Sequence, residues 1–417
     1  MFSTLKEAVA WIESVHRFGD KYDLIRMEKA TQKLNHPEKG FKSVHIAGTN
    51  GKGSTLTYLK QMFIEANYKV GTYTSPYIVR FNERIAINNN DISDEDLLKY
   101  INKIYDFSLE YLEEENDQIS FFELVTLISF MYFNDQKVDI AIIEVGLGGL
   151  LDATNVITPI VSVITNIGFD HMNVLGNTLE SIAKNKLGIV KPHVPLVTSV
   201  EQESLYPLFE ATAKNNHSDY YHTKDYLLED VRFDTPTTFR FDHEQYTLNM
   251  IGHHQVTNAS LAILTAKVIN QQTSYNLDDV SIKKGIENAF WPGRFERFGN
   301  IIIDGAHNEQ GLIACLKTLR AYYPNHYVKS LFTVMADKDY TKMLRLLEEN
   351  VDEIFFTEIN YPRCEKALTL YEKSVHPNKH LAIDYQQIIE KEAPKGDSEI
   401  LLITGSLYFI SEVRKHL

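Results

Sequence analysis

The run GTNGKGS at 48–54 constrains the fold of this chain more than any other feature, because it stands directly between an apolar strand-length segment, SVHIA, and a helix-forming one, STLTYLKQMFIEA. Glycine favours neither a strand nor a helix interior. It permits a tight turn whose backbone N–H groups converge, at the positive end of a helix, on a chain of phosphates. A lysine there reaches the outer phosphates, and a hydroxyl suits a magnesium ion. Gly48, Thr49, Asn50, Gly51, Lys52, Gly53 and Ser54 are therefore read as a nucleotide-phosphate loop. The spacing departs from the common G-x-x-x-x-G-K-[ST], since Ile46 stands at the first glycine position and Gly53 separates Lys52 from Ser54. A plain glycine-rich turn is the competing reading, and the strand-before, helix-after context favours the phosphate loop.

Around this loop, between residues 42 and 200, apolar runs of strand length alternate with amphipathic helical stretches, the pattern of a parallel sheet covered by helices. Strands are expected at 43–47, 70–74, 138–145, 160–165 and 195–200, and helices at 54–67, 94–113 and 121–134. This is a doubly wound α/β domain. From about 220 to 250 short aromatic and threonine-rich alternations predict antiparallel strands at a sheet edge. Helices follow near 258–270 and 281–289, and WPGRFERFGN then punctuates the chain, placing a domain boundary near Pro292. A second series begins there, with strands at 300–304, 330–334, 351–357 and 400–404 and a helix after His307. The acidic EEEND at 113–117 reads as a solvated loop.

Two further constellations sit at predicted strand ends. Glu144 closes the apolar run DIAIIE, and ligands of open α/β sheets gather at the carboxyl ends of strands, where an acidic group beside a phosphate loop holds magnesium. Another strand ends in TNIGFDH at 165–171, with Lys186 fifteen residues beyond His171. On spacing alone His171 can be a metal ligand and Lys186 a phosphate-site cation, but the plain readings, a strand-end hydrogen bonder and a solvated helix residue, are strong. The aromatic and basic stretch 74–85, with Tyr77, Arg80, Phe81 and Arg84, reads either as a cover for a flat heteroaromatic ring or as local core.

Composition bounds these readings. With 417 residues, 44% hydrophobic and 24% charged, the chain has the balance of an ordinary soluble protein of two or three domains. A formal net charge of -14 argues against a general nucleic-acid binder and requires that anionic ligands be met by locally concentrated cations. The two cysteines, Cys315 and Cys364, match no disulfide framework or zinc spacing, which fits a reducing cytoplasm. No export leader or membrane span is expected.

Eight segments in order, GTNGKGST at 48, TSPYIVRFNERI at 74, EVGLGGLLDATN at 144, GFDHMNVLG at 168, HHQVTNASLA at 253, PGRFE at 292, DGAHN at 304 and TGSLYFISEVR at 404, resemble the folylpolyglutamate synthase and dihydrofolate synthase family of the Mur ligase superfamily. The resemblance implies a P-loop domain of Mur-ligase central type over 1–292 and a smaller Rossmann-like glutamate-ligase domain over 293–417. It implies a ligase that adds L-glutamate to the γ-carboxylate of tetrahydrofolate through an acyl phosphate. Dihydrofolate synthase or a bifunctional enzyme is the alternative. The implied cofactors are ATP and one or two magnesium ions, with a monovalent cation left open. The implied partners are a reduced folate, L-glutamate and ATP, with no nucleic acid or membrane, and the chain is expected to act as a monomer. By position, Ser54, Ser75, Glu144, His171 and Lys186 resemble the magnesium ligand set, Lys186 matching a lysine that is carbamylated in the family. Lys52, His171 and Lys186 are the implied catalytic residues, Asn258, Arg294 and Asp304 resemble further nucleotide contacts, and His307 and Ser406 resemble positions on the glutamate side. The chain departs from the family pattern at Tyr77 and Ile78, Leu150, Asn185 and Asp23, positions around the acceptor side rather than the phosphate loop. Two other readings are a cell-wall Mur ligase, disfavoured because only 47 residues precede Gly48 against the ~100 usual for a domain, and a nucleotide-dependent switch without ligase activity.

Overall fold

A computed structural model describes residues 1–16, 23–394 and 396–417; residues 17–22, part of the N-terminal segment read against an export leader, lie outside the described residues. The packing divides the chain into two compact units, Met1–Leu227 with Thr257–Asn288, and Leu228–Val256 with Ala289–Leu417.

The first unit is built on an eight-stranded sheet: β1 (Lys42–Ala47), β2 (Val70–Tyr73), β3 (Ile85–Ile87), β4 (Asn90–Asp91), β5 (Ile140–Glu144), β6 (Val161–Ile164), β7 (Leu196–Thr198) and β8 (Tyr220–His222), in the order β4-β3-β2-β5-β1-β6-β7-β8. All pairings are parallel except the β2–β3 and β3–β4 hairpins at one edge. β2, β5 and β6 are buried at every position, and β1 at all but its first. They are continuous apolar runs rather than alternating ones because a parallel sheet is covered on both faces. One cover is the helix Phe121–Asp135, started by a capping box between Ser120 and Glu123 and buried along most of its length. Register then fixes where the loops emerge. Ile46 pairs with Glu144 and Ala47 with Ile164, so the segments that begin at Gly48, Val145 and Thr165 leave the sheet side by side.

In the second unit a six-stranded sheet, β12 (Glu296–Phe298), β13 (Ile301–Asp304), β14 (Tyr327–Phe332), β15 (Glu353–Phe356), β16 (Lys379–Leu381) and β17 (Glu399–Thr404), takes the order β12-β13-β17-β14-β15-β16. It is parallel apart from the β12–β13 hairpin. A core centred on Ile302, Leu312, Phe332, Leu347, Phe356 and Leu402 fills the space between sheet and helices.

The segment 220–250 differs from its sequence reading. Tyr220–His222 joins the first sheet as a parallel edge strand, whereas β9 (Leu228–Arg232), β10 (Thr237–Phe241) and β11 (Glu244–Leu248) form a separate antiparallel sheet in the second unit. Thr237 Oγ1 hydrogen-bonds Tyr322 Oη, and the Phe233 ring packs on Tyr322, tying this sheet to the helix Glu309–Tyr322. Period-2 alternation reports that one face is covered but not what covers it. The expected solvated loop at 113–117 is also different: Glu113–Glu115 end the helix Asp94–Glu115, with Glu114 and Glu115 pairing with Lys33 and Lys29, and Asp117 lies 3.7 Å from Arg26. Among the described residues no helix is long and apolar enough to cross a membrane.

In the central strand β1, fully buried His45 donates from Nε2 to Thr154 Oγ1 at 2.8 Å, and Thr154 Oγ1 donates to Asp152 Oδ1. Burial, with the Lys191 charge, pushes His45 down from 6.5 to about 3. Between those values the unfolded chain binds a proton that the folded chain refuses, so stability falls as pH drops through 6.5 toward about 3. Urea midpoints at pH 7.5 and 5 should therefore fall more for the wild type than for His45→Asn; equal pH slopes would remove His45 from the account.

Candidate active site

Gly48 leaves β1 with φ +151° and Gly51 caps the helix Lys52–Glu65 with φ +86°. A Cβ at Gly48 would lie 1.8 Å from Thr165 Oγ1, and one at Gly51 2.4 Å from Asn258 Oδ1, so both glycines are required by close approach as well as by backbone conformation. The loop is held from the neighbouring strand end. Asn166 accepts from Thr49 N through its carbonyl (3.0 Å) and from Asn50 N through Oδ1 (2.8 Å), while Thr165 Oγ1 donates to Asn50 O at 2.6 Å. Thr49 Oγ1 donates to Gly168 O and accepts from Gly168 N. Thr165, Asn166 and Gly168 were not singled out as site residues by sequence. Their signal was their place in TNIGFDH, where an apolar strand stops.

Two lysines converge on the same carbonyl. Lys52 Nζ donates to Gly48 O at 3.2 Å and Lys186 Nζ donates to it at 3.0 Å. Lys186 is 4% exposed, and burial together with the Lys52 charge pushes its amine down from 10.5 to about 7. The reading of Lys186 as a solvated helix residue is thereby set aside. Glu144, buried at the end of β5, lies 3.8 Å from Lys52 Nζ and accepts from Ser75 N at 3.4 Å. Ser54 is buried in the first turn of the helix. These contacts bring together Gly48, Lys52, Ser75, Glu144 and Lys186. His171 lies on another segment, in left-handed conformation before the short helix Met172–Leu175, half-exposed and 3.9 Å from Asp170. Among the described residues no three His, Cys, Asp or Glu side chains gather into a metal-binding group. The donors that these contacts gather at the loop include the Glu144 carboxylate and the Ser54 hydroxyl, oxygen groups of the kind a largely hydrated magnesium ion accepts.

The stretch 74–85 resolves largely toward local core. Phe81 and Arg84 are buried, the Arg84 guanidinium lies 5.0 Å from the Tyr77 ring centre and 5.5 Å from those of Phe81 and Phe121, and Tyr77 Oη donates to Glu13.

In the second unit Asp304 ends β13, buried, its oxygens accepting from Phe295 N (2.8 Å) and Ala306 N (2.9 Å). Burial raises its pKa, and the neighbouring Arg294 charge opposes the rise. Asp304 thus fixes the turn that carries Arg294. His307 Nδ1 meets Gly305 O at 2.9 Å, and Ser406 caps the helix Leu407–Arg414, with its Oγ buried and without a hydrogen-bond partner.

With this geometry, comparison with known proteins identifies the class. The Mur ligase middle domain matches residues 46–266 and the Mur ligase glutamate ligase domain residues 293–407, which makes the chain a Mur-type ligase. It is 39% identical to a dihydrofolate synthase/folylpolyglutamate synthase of Bacillus subtilis, with 100% of each chain covered. The solved folylpolyglutamate synthase of Thermotoga maritima superposes with a TM-score of 0.87 at 31% identity over 99% of this chain and 96% of that one. A solved AMPPCP–folate complex of a folylpolyglutamate synthase gives 0.85 at 29% identity, covering 99% of each chain. The chain belongs to the folylpolyglutamate synthase/dihydrofolate synthase family.

The role of the glycines is open to a direct check. Gly48→Ala should force Thr165 off Asn50 O and cost about 1–3 kcal/mol, the usual scale of a strained backbone at a functional loop. It should be read as a lower urea midpoint without ligand; an unchanged midpoint would mean that the loop yields freely.

Proposed function

We propose that this protein is an ATP-dependent ligase that adds L-glutamate to the γ-carboxylate of tetrahydrofolate. The observation that carries the reading is the glycine-built loop at a helix N-terminus with Lys52, Lys186 and Glu144 gathered at it, in a chain that aligns from end to end with relatives named for this activity. In the proposed reaction the folate carboxylate attacks the γ-phosphorus of ATP, releasing ADP and leaving an acyl phosphate. The glutamate amine then attacks the acyl carbon, losing a proton, and inorganic phosphate departs as the amide forms.

Both partners of the first step are anions, so cations lower its barrier most. We assign the loop N–H groups of residues 48–54 and Lys52 to the phosphates, with Asn258, Arg294 and Asp304 as further nucleotide contacts and His307 and Ser406 on the glutamate side. Magnesium, one or two ions, would be held by Ser54, Ser75 and Glu144 together with His171 and a carbamylated Lys186, and would supply charge neutralisation at the phosphates. An amine lowered to about 7 is substantially uncharged at neutral pH, the form that adds carbon dioxide. A monovalent cation remains compatible with this reading. In the proposed division of labour residues 1–292 carry the phosphate loop, and 293–417 serve the amino acid while contributing Arg294 and Asp304 to the nucleotide. The two cysteines, both free, suit action in a reducing cytoplasm, and a monomer suffices for this assignment.

A second reading, a bifunctional enzyme that also joins glutamate to dihydropteroate, is favoured by the name of the B. subtilis relative. Mass spectrometry of products formed with Mg-ATP, L-glutamate and either acceptor decides between them. Glutamate on tetrahydrofolate alone supports the first reading, on both acceptors the second, and on neither overturns both. Lys52→Ala should lower turnover on the order of 10²-fold, as loss of one electrostatic contact to a transition state does, while far-UV circular dichroism stays unchanged. Wild-type turnover in that variant would remove Lys52 from the phosphate site.

A further inference from the structure

L-Glutamate carries two carboxylates, and a chain of net charge -14 must hold them with cations placed locally. A candidate lies at the carboxyl end of the six-stranded sheet, where ligands of open α/β sheets gather. Beyond β14 the chain runs antiparallel to residues 363–365: Ala336 N donates to Arg363 O at 2.8 Å, Glu365 N donates to Val334 O at 2.9 Å, and Met335 bridges Cys364. Cys364 Sγ lies 3.3 Å from Thr333 Oγ1. These contacts pin the backbone of Arg363 beside the strand ends.

Its side chain is shaped by a second segment. The Arg363 guanidinium carbon lies 5.7 Å from the Tyr361 ring centre and 5.8 Å from that of Tyr408, and the two rings stack on each other at 4.2 Å. Nη2 donates to Tyr408 Oη at 3.3 Å. Tyr408 belongs to the helix Leu407–Arg414, whose cap Ser406 follows the end of β17 and keeps a buried, unpartnered hydroxyl. Asp337 approaches Nη1 only to 3.5 Å, with both side chains close to half-exposed, so that pair binds weakly. A guanidinium has five N–H groups in a planar fork that matches a carboxylate, and aromatic faces keep the fork in one orientation. Tyr361 hydrogen-bonds the same guanidinium, and with Tyr408 and Asp337 it occupies part of that fork.

We propose that Arg363, oriented by Tyr361 and Tyr408, holds the side-chain carboxylate of the incoming amino acid and so selects an acidic one; this rests on the ligase reading above. The α-carboxylate shares a carbon with the reacting amine, whereas the side-chain carboxylate lies two methylenes beyond it. The solvent-open Arg363 suits the outlying group, and Ser406, buried at the strand end, suits the inner one.

The test compares wild type, Arg363→Ala and Arg363→Lys with L-glutamate and L-glutamine as acceptors of the folyl group. Loss of a bidentate charged contact should raise KM for glutamate on the order of 30-fold in Arg363→Ala, with KM for ATP and folate and the thermal midpoint nearly unchanged. The preference for glutamate over glutamine should collapse, and Arg363→Lys should recover part of it. A merely structural arginine would move all three KM values together and leave the glutamate-to-glutamine ratio as it was, which would overturn the proposal, as would an unchanged KM for glutamate. If wild type forms no glutamyl product, the ligase reading itself fails. Equilibrium dialysis with radiolabelled L-glutamate then reads the site directly: binding lost in Arg363→Ala supports it, and equal or absent binding overturns it.

Discussion

The carbonyl of Gly48 is the point on which the first unit's chemistry depends. It accepts hydrogen bonds from Lys52, which follows it in the same loop, and from Lys186, which comes from a helix 138 residues further on. Two lysine amino groups share one carbonyl there, and Gly48, with no side chain, lets Thr165 close in on the same turn. The arrangement concentrates positive charge where the chain as a whole is acidic, and anion binding requires that local reversal of sign. Like-charge proximity and burial in turn lower the Lys186 amine, so the pocket that gathers cations also limits how many protons they carry.

Buried charge elsewhere in the chain is handled by pairing. Arg26 and Glu123, both nearly inaccessible, meet at 3.1 Å, and the same Glu123 closes the capping box of the helix Phe121–Asp135, so one carboxylate both starts a helix and balances a buried guanidinium. Arg84 rests instead against three aromatic rings, and Asp304 is satisfied by two backbone N–H groups. Each solution answers the same cost of desolvating an ion.

The second unit places its candidate residues by the same rule, at the carboxyl ends of parallel strands. β13 ends in Asp304, β17 leads to Ser406, and the segment after β14 is bound to the one bearing Arg363. None of these positions is adjacent in sequence. A mostly parallel sheet makes them neighbours because every crossover returns the chain to start the next strand in the same direction.

The alternation of apolar runs and amphipathic helices determined the α/β class and most strand positions, since burial on both faces leaves a continuous hydrophobic run that local reading detects. The glycine spacing at 48–54 likewise marked a tight strand-to-helix turn, because the backbone conformations it needs are a local property. What the sequence left undecided were relations between distant segments: that 228–248 forms its own sheet in the second unit, that Glu113–Glu115 end a helix paired to Lys29 and Lys33, and that Asn166 ties down the turn at 48–54. Lys186 shows why. In sequence it is a lysine near the end of an amphipathic helix, equally suited to solvent, and only tertiary packing, by burying its amine against Gly48 and beside Lys52, gave it a pKa near neutrality, because desolvation and the field of a second charge exist only once the strands are assembled.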